Sequence, residues 1–117
     1  IEEAIENSAP CNGKGIVMCH ISHSYPEGAS LYFTFLFPMD EEDPLSQWKQ
    51  IKQAASDTIS REGGTISHHH GVGVDHVPWM TAEKGEVGID LLKGAKDRLD
   101  PKGIMNPGKL LPTADGK

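Results

Sequence analysis

Three consecutive histidines between glycine-rich stretches are the feature that most constrains how this chain folds. The run His68-His69-His70 follows Gly63-Gly64 and precedes Gly71 and Gly73. Successive side chains of a strand point to opposite faces, so a strand cannot bury this run on one side. Glycine also permits backbone conformations that are closed to other residues. We therefore predict a site loop, because imidazole serves as acid, base, anion donor or metal ligand near neutral pH. A solvated surface loop is the alternative.

Length and charge limit the class of protein. The chain has 117 residues and a formal net charge of -6. This length suits one small domain, and the negative charge argues against nucleic acid as a partner. No signal peptide or bilayer-spanning apolar run is visible. Cys11 and Cys19 are too few for a disulfide framework, which predicts a reducing compartment. We expect a cytoplasmic location, with peripheral membrane attachment as the alternative. The start at Ile1 suggests a piece of a longer protein, although processing would give the same start.

Two apolar stretches predict a β-hairpin. Residues 15–23 (GIVMCHISH) and 30–37 (SLYFTFLF) are rich in branched and aromatic side chains and flank a Pro/Gly turn. Alternation places His20 and His23 on opposite faces of the first strand. In the second strand, one face is predicted to be core and carries Leu31, Phe33, Phe35 and Phe37. Tyr32 lies on the other face, so we expect its side chain to point away from the core.

A helix is predicted from Pro44 to about Glu62. Asp43 suits the N-cap, proline suits the first turn, and Gly63-Gly64 ends the helix. The predicted apolar stripe consists of Leu45, Trp48, Ile51, Ala55 and Ile59. Residues 65–67 are predicted as a short extended piece that delivers the histidines to a strand end.

The remaining elements complete an α+β pattern. Residues 1–7 predict a short helix, 78–80 open another, and 85–99 form a third that stops at Asp100-Pro101. Residues 104–110 are rich in turn formers. This order predicts helices packed on a small antiparallel sheet, as in a fragment of a ferredoxin-like arrangement.

Histidines and a tyrosine form the candidate site. His20, His23 and Tyr32 of the hairpin are predicted to converge with His68–His70, where they would transfer protons or bind an anion. Zinc binding is a further option, but two strand residues three apart on opposite faces are poorly placed to share a metal. For His20, a hydrogen-bonded sheet histidine is an equally good interpretation. For His76, a solvated loop residue is the better one.

The chain resembles a known family. Three segments carry the resemblance: Met18–His23 with Leu31-Tyr32-Phe33, the glycine-flanked triple at 63–73, and the ending at 99–110. From about Gly15 onward, they are similar to the C-terminal part of FAD-linked oxidases of the vanillyl-alcohol-oxidase type. Within that family, the triple histidine most resembles the alkylglycerone-phosphate synthase (alkyl-dihydroxyacetonephosphate synthase) branch.

The resemblance implies a function. The whole chain, 1–117, would be a C-terminal cap over the flavin of FAD, which an upstream domain of the same polypeptide binds. Tyr32 and His69 would be catalytic, and no metal is implied. The residues implied to contact substrate or flavin are His20, His23, His68, His70, Gly71 and Asn106. The branch exchanges the acyl group of acyl-dihydroxyacetone phosphate for a fatty alcohol, without net redox. The substrate is expected to be a phosphate ester or a hydroxy acid, and a homodimer is a further candidate.

Two alternatives remain. The glycolate, D-lactate and D-2-hydroxyglutarate dehydrogenase branch is similar, but has Gly-Glu-His-Gly where this chain has His68-His69-His70-Gly71. In that branch two hairpin histidines and the glutamate hold a divalent metal. Here His23 matches the first histidine, whereas Tyr32 replaces the second and His69 replaces the glutamate. These departures favour the synthase branch. The second alternative is a histidine-rich metal-binding module without catalysis.

Overall fold

A computed structural model describes residues 1–6 and 14–112, which divide into two compact units at Thr58/Ile59. The elements in chain order are α1 (Glu2–Glu6), β1 (Ile16–Tyr25), β2 (Gly28–Leu36), α2 (Pro44–Arg61), α3 (Gly73–His76), a 3-10 turn (Val77–Trp79) and α4 (Met80–Leu99). The predicted α+β class is confirmed. Residues 7–13, with Cys11, lie outside the described residues, so the prediction about disulfides stays a prediction.

The predicted hairpin is present and forms a core with α2. β1 and β2 pair antiparallel and are joined by the two-residue connection Pro26-Glu27. Partly buried side chains of one hairpin face pack against buried residues of α1 and α2, because that face is apolar and the helix presents an apolar strip. The core residues are Ile5, Ile51 and Ala55, packed by Ile1, Val17, Phe35 and Phe37.

The predicted row of core residues in β2 is only partly correct. Phe35 and Phe37 pack on the core, with their rings 5.8 Å apart. Leu31, near the turn, is 53% exposed and does not join it. The hairpin side chains that pack on the core, Val17, Phe35 and Phe37, lie at the end of the hairpin away from the turn.

β1 contains a bulge. Ile21 lies opposite Leu31, but the next paired residue is His23, which lies opposite Ser30. Ser22 is therefore an extra residue in β1. A bulge of one residue reverses the faces of the residues that follow it, because side chains alternate along a strand.

The bulge overturns the prediction that His20 and His23 lie on opposite faces. His20 pairs with Tyr32, and His23 pairs with Ser30, two residues before Tyr32 on the same face of β2. All three ring-bearing residues therefore share the face that is turned away from the α2 core. Strict alternation failed here because it assumes an unbroken register.

The limits of α2 are those predicted. The Ser46 N–H donates to the Asp43 carboxylate over 3.1 Å, as expected for an N-cap. At the other end, Gly63 has φ +74°, and the Gly64 N–H donates to the Ile59 carbonyl over 2.9 Å. Glycine is needed at position 63 because this left-handed conformation closes the helix.

The predicted stripe of α2 is buried only at its centre. Ile51 and Ala55 are buried, whereas Leu45 and Trp48 are exposed. The N-terminal half instead buries Gln47, whose amide donates to the Pro38 carbonyl over 2.8 Å and accepts the Asp40 N–H over 2.8 Å. The amide thereby fixes the chain that leads from β2 into α2.

The second unit lacks the short extended piece predicted at 65–67. No strand is assigned there; the Ile66 N–H instead donates to the Glu83 carboxylate of α4 over 3.0 Å. A side-chain acceptor thus satisfies the group that would otherwise bond in a ladder. A separate helix is predicted over 85–99, and Gly85 (φ 70°, ψ 162°) does interrupt α4 at the start of that range. Within the described part of the chain, no helix is both long and apolar enough to cross a membrane.

One carboxylate organises the segment after α4. Asp100 accepts the N–H groups of Ile104 and Met105 over 3.1 and 2.9 Å and is paired with Lys96. The Lys96 ammonium also donates to the Met105 carbonyl over 2.7 Å. The hydrogen bond from Lys96, aided by the two backbone N–H groups, holds the pKa of Asp100 below its ordinary value. Asn106 follows in a left-handed conformation, φ 49°.

Candidate functional site

The face of the hairpin opposite the core carries a stacked pair of rings. His20 and Tyr32 are directly opposed in the ladder, and their ring centroids are 5.1 Å apart at an interplanar angle of 29°. Tyr32 is 52% exposed, and His20 is exposed as well. The predicted orientation of Tyr32, away from the core, is confirmed. A phenol beside an imidazole on an accessible face has the components for proton transfer.

A second pair of rings lies toward the turn on the same face. His23 and Tyr25 have ring centroids 6.3 Å apart and nearly parallel planes, at 7°. The Ser22 hydroxyl and the Nδ1 atom of His23 form a hydrogen bond of 2.7 Å. The bulge therefore brings His23 to the Tyr32 face and also supplies a polar group that contacts its ring.

The triple histidine occupies a compact loop in the second unit. The Ser67 hydroxyl donates to the Gly71 carbonyl over 2.5 Å and so closes the loop. The rings of His68 and His69 are stacked with centroids 3.9 Å apart. His69 has φ +62°, a conformation that costs a residue with a Cβ about 1–2 kcal/mol. A conformation of this kind tends to persist at functional sites, where surrounding contacts hold it.

Gly71 and Gly73 continue the loop with φ +72° and +64°. A Cβ built on either glycine would meet no atom within 4 Å. The backbone beside the histidines is therefore open to close approach by a flat ligand. His69 and His70 are exposed, and His68 is half-buried.

The structure separates the predicted site residues into two groups. His20, His23 and Tyr32 share one face in the first unit, whereas His68–His70 and Gly71 form the loop of the second. Their predicted convergence stays a prediction. Asn106 belongs to the second unit, in the segment organised by Asp100.

His76 was interpreted as a solvated loop residue, and that interpretation is wrong. It is half-buried in α3, and its Nδ1–H donates to the Val72 carbonyl over 2.7 Å. Its ring thus supports the backbone that follows the triple.

Glu83 was missed by the sequence reasoning. Its carboxylate borders a cavity of about 110 Å³ that is lined by Ser60, Gly63, Gly64, Ile66, Trp79, Ala82 and Glu83. Burial raises the pKa of Glu83, but the hydrogen bond from Ile66 N–H and the Lys84 ammonium outweigh it, so this pKa lies below its ordinary value. The only signal in the sequence is a carboxylate in the first turn of α4, which is common. Among the described residues, no group of three or more His, Cys, Asp or Glu side chains is placed to hold a metal ion.

Comparison with known proteins identifies the class to which this fold and site belong. Residues 2–110 match the family described as "FAD linked oxidases, C-terminal domain". The match covers nearly all of the chain. The chain belongs to this family, in which the C-terminal domain accompanies an upstream FAD-binding domain in full-length members.

Individual relatives of the chain include two synthases and a dehydrogenase. The chain is 45% identical over 103 residues to the alkyldihydroxyacetonephosphate synthase of Trypanosoma brucei brucei, covering 87% of this chain and 17% of the relative. It is 43% identical over 97 residues to the synthase of Dictyostelium discoideum, covering 83% and 16%. A more distant relative is the D-2-hydroxyglutarate dehydrogenase of Stutzerimonas stutzeri, 30% identical over 83 residues, covering 69% and 18%. The chain thus spans under a fifth of the length of these relatives.

FAD is the cofactor of the family, and the residues present suit contact with its ring system. The hairpin offers an exposed face of stacked flat rings, and the glycine backbone beside His70 is open. Flat rings and an unobstructed backbone permit the close approach that a planar ligand needs. The histidine and tyrosine side chains add hydrogen-bond donors and acceptors along the same surfaces.

Proposed function

We propose that this chain is the flavin-covering, substrate-contacting part of an FAD-dependent enzyme that works as an alkyldihydroxyacetonephosphate synthase. The reaction exchanges the acyl group of acyl-dihydroxyacetone phosphate for a fatty alcohol. The observation that carries the proposal is the exposed Tyr32 ring stacked on His20, on the hairpin face that the core leaves open. The higher identity to the two synthases than to the dehydrogenase supports the same choice.

Tyr32 is the acid/base residue of this proposal. Its hydroxyl takes a proton from the substrate and returns it at a later step, while the adjacent imidazole of His20 orients the ring. His23, brought to the same face by the bulge, provides a second imidazole for a substrate oxygen. FAD, when bound, would supply a redox-active ring beside these side chains.

The triple histidine is the anion-binding part of the proposal. His68, His69 and His70 offer ring N–H donors, and the stacked His68–His69 pair limits how far the loop can rearrange. A substrate phosphate is a strong acceptor for such donors. His69 is the proposed catalytic member. Gly71 and Asn106, which both have left-handed conformations, are the proposed backbone contacts of the ligand.

The remainder of the polypeptide is the proposed partner. An upstream FAD-binding domain would cover apolar side chains that are exposed on α4, among them Val87, Leu91 and Leu99. Contiguous exposed apolar surface commonly marks an interface. We propose that the full-length protein lies in the cytoplasm, with peripheral contact to membranes that hold its lipid substrates.

A D-2-hydroxy acid dehydrogenase is the second candidate. It is favoured by the 30% identical relative and by the bulge, which places His23 on the face of Tyr32, the two positions where that branch has its hairpin histidines. Tyr32 and His69 count against it, because they stand where that branch has a metal-binding histidine and glutamate.

The test is the anaerobic visible absorbance of the full-length holoenzyme, with each substrate class in turn. The proposal expects no bleaching by D-2-hydroxy acids. It expects a spectral change with acyl-dihydroxyacetone phosphate that a fatty alcohol reverses. Bleaching by a hydroxy acid, sustained by an added electron acceptor, would replace the synthase with the dehydrogenase.

A further inference from the structure

Ser22, one of the two residues between His20 and His23, is the extra residue of the bulge in β1. We propose that Ser22 is a positioning residue: its place in the bulge and its hydroxyl hold the imidazole of His23 on the Tyr32 face. The inference rests on the proposed function in taking that face as the reaction site. It goes further by assigning His23 its geometry and Ser22 a role.

The bulge in the backbone of β1 sets the face on which His23 lies. Without the extra residue, His23 would continue the alternation of β1 and lie on the core face with Cys19 and Ile21. The bulge instead pairs His23 with Ser30, two residues from Tyr32. Such diagonal neighbours across a ladder lie about 7–8 Å apart, within reach of long side chains. A substrate atom therefore fits between the imidazole of His23 and the phenol of Tyr32.

Two contacts set the orientation of the His23 ring. The Ser22 hydroxyl bonds to Nδ1 of His23 over 2.7 Å, and the ring stacks on Tyr25 at 7°. The stacking restrains the plane of the imidazole, and the hydroxyl restrains its rotation within that plane. A hydroxyl is suited to this task because it donates to a bare nitrogen or accepts from a protonated one.

The hydroxyl and the bulge are separable by mutation. Ser22→Ala keeps the extra residue and removes only the hydrogen bond, so the faces of the strand stay as they are. Ser22→Thr restores the hydroxyl on a residue that strands tolerate well. Ser24→Ala is the matched control: it removes the same group from the same strand, but Ser24 lies opposite Ala29 on the other face.

The kinetic test uses the full-length holoenzyme with whichever substrate it turns over. Ser22→Ala should lower kcat about three- to tenfold, the loss expected for one hydrogen bond, with KM and melting temperature little changed. Ser22→Thr should recover most of the activity, and Ser24→Ala should retain it. In a His23→Ala background, Ser22→Ala should cause no further loss, because a residue that acts through another is not additive with it.

A spectroscopic signature tests the same point without turnover. In full-length protein labelled with ¹⁵N-histidine, the ring signals of His23 are assigned by their disappearance in His23→Ala. The Nδ1 signal of His23 is expected to shift in Ser22→Ala, which removes the hydrogen bond at that atom. Ser22→Thr should return the signal to its original position.

The outcomes separate this inference from the proposed function. The enzyme could oxidise hydroxy acids and still show that Ser22 acts through His23. That result would support the positioning role and overturn only the synthase reaction. The positioning role alone is overturned if Ser22→Ala leaves the rate of acyl exchange unchanged. It is also overturned if Ser22→Ala lowers kcat by the same factor in the His23→Ala background. An unchanged Nδ1 signal of His23 in Ser22→Ala does the same.

Discussion

The hairpin face and the triple-histidine loop place the same kind of side chain by different means. On the hairpin, the ladder sets the positions of His20, His23 and Tyr32, and a buried core holds the sheet from behind. In the loop, His68–His70 are held by one hydroxyl bond across the loop and by left-handed backbone at His69 and Gly71.

The two sites differ in which structural features a mutation must leave intact for the site to work. A ladder fixes several side chains together, so the hairpin site depends on the register and on the core beneath it. A short loop depends on the conformation of single residues, so its changes stay local. The hairpin therefore suits a residue whose position must be exact to a fraction of an ångström, and the loop suits binding of an anion by several donors.

The largest effect is expected from Tyr32→Phe. Loss of an acid/base group lowers turnover about 10²–10⁴-fold, while the phenylalanine ring preserves the stacking on His20. The full-length enzyme should still bind FAD, as judged by its visible spectrum, and melt at the same temperature. Tyr25→Phe, which removes a hydroxyl from the same strand pair and keeps its ring, should retain most of the activity. Full turnover in Tyr32→Phe would remove the role assigned to the hairpin face.

The dependence of the hairpin on its core is tested by Ile51→Ala. This side chain is fully buried against Ile5 and the hairpin, so its truncation should lower the free energy of unfolding by about 2–5 kcal/mol. Thermal or denaturant unfolding of the full-length protein measures it. Leu45→Ala on the same helix is the control. Leu45 is 71% exposed, and the change should stay within about 0.5 kcal/mol. Equal effects of the two variants would mean that the hairpin core does not support the site.

Substitutions of His69 in the loop should lower activity without a matching loss of stability. Both His69→Ala and His69→Gly remove the imidazole, and each should lower kcat/KM about tenfold or more if it bonds a charged substrate. Only alanine keeps a Cβ at φ +62°, so glycine should be the more stable replacement or equal to it, despite its entropic cost of about 0.5–1 kcal/mol. A large loss of stability in both variants would make the triple a structural element instead.

The smallest effect is expected on stability at acidic pH. The pKa values of Glu83 and Asp100 are lowered in the fold, so both groups add stability that is fully present above their ordinary values of 4.5 and 3.8. This stability is lost as the pH falls through the lowered pKa values. The melting temperature of the full-length protein should therefore decline in this range. Asp100→Asn, which cannot ionise, should melt lower at neutral pH and decline less steeply. A parallel decline in both proteins would assign the acid sensitivity to other groups.

Much of the fold was predictable because it rests on local signals. The hairpin followed from branched and aromatic residues around a turn, and the limits of α2 followed from Asp43 and Gly63. The helix predicted over 85–99 corresponds to the part of α4 that follows the non-helical Gly85. The outward face of Tyr32 followed from alternation within β2, which has no extra residue. In each case the determining residues lie within a few positions of the structure they determine.

The sequence by itself determined the family, the hairpin, the caps of α2 and the glycine-flanked histidine loop, since these depend on neighbours in the chain. Only the tertiary structure decided that His23 joins His20 and Tyr32, that residues 65–67 bond to Glu83 rather than to a strand, and that Gln47 is buried in place of Leu45. These outcomes depend on partners 7 to 17 residues away, or on an extra residue in one strand of a pair. Such choices are made by the competition among distant hydrogen-bond partners and apolar surfaces, which periodicity along the chain does not encode.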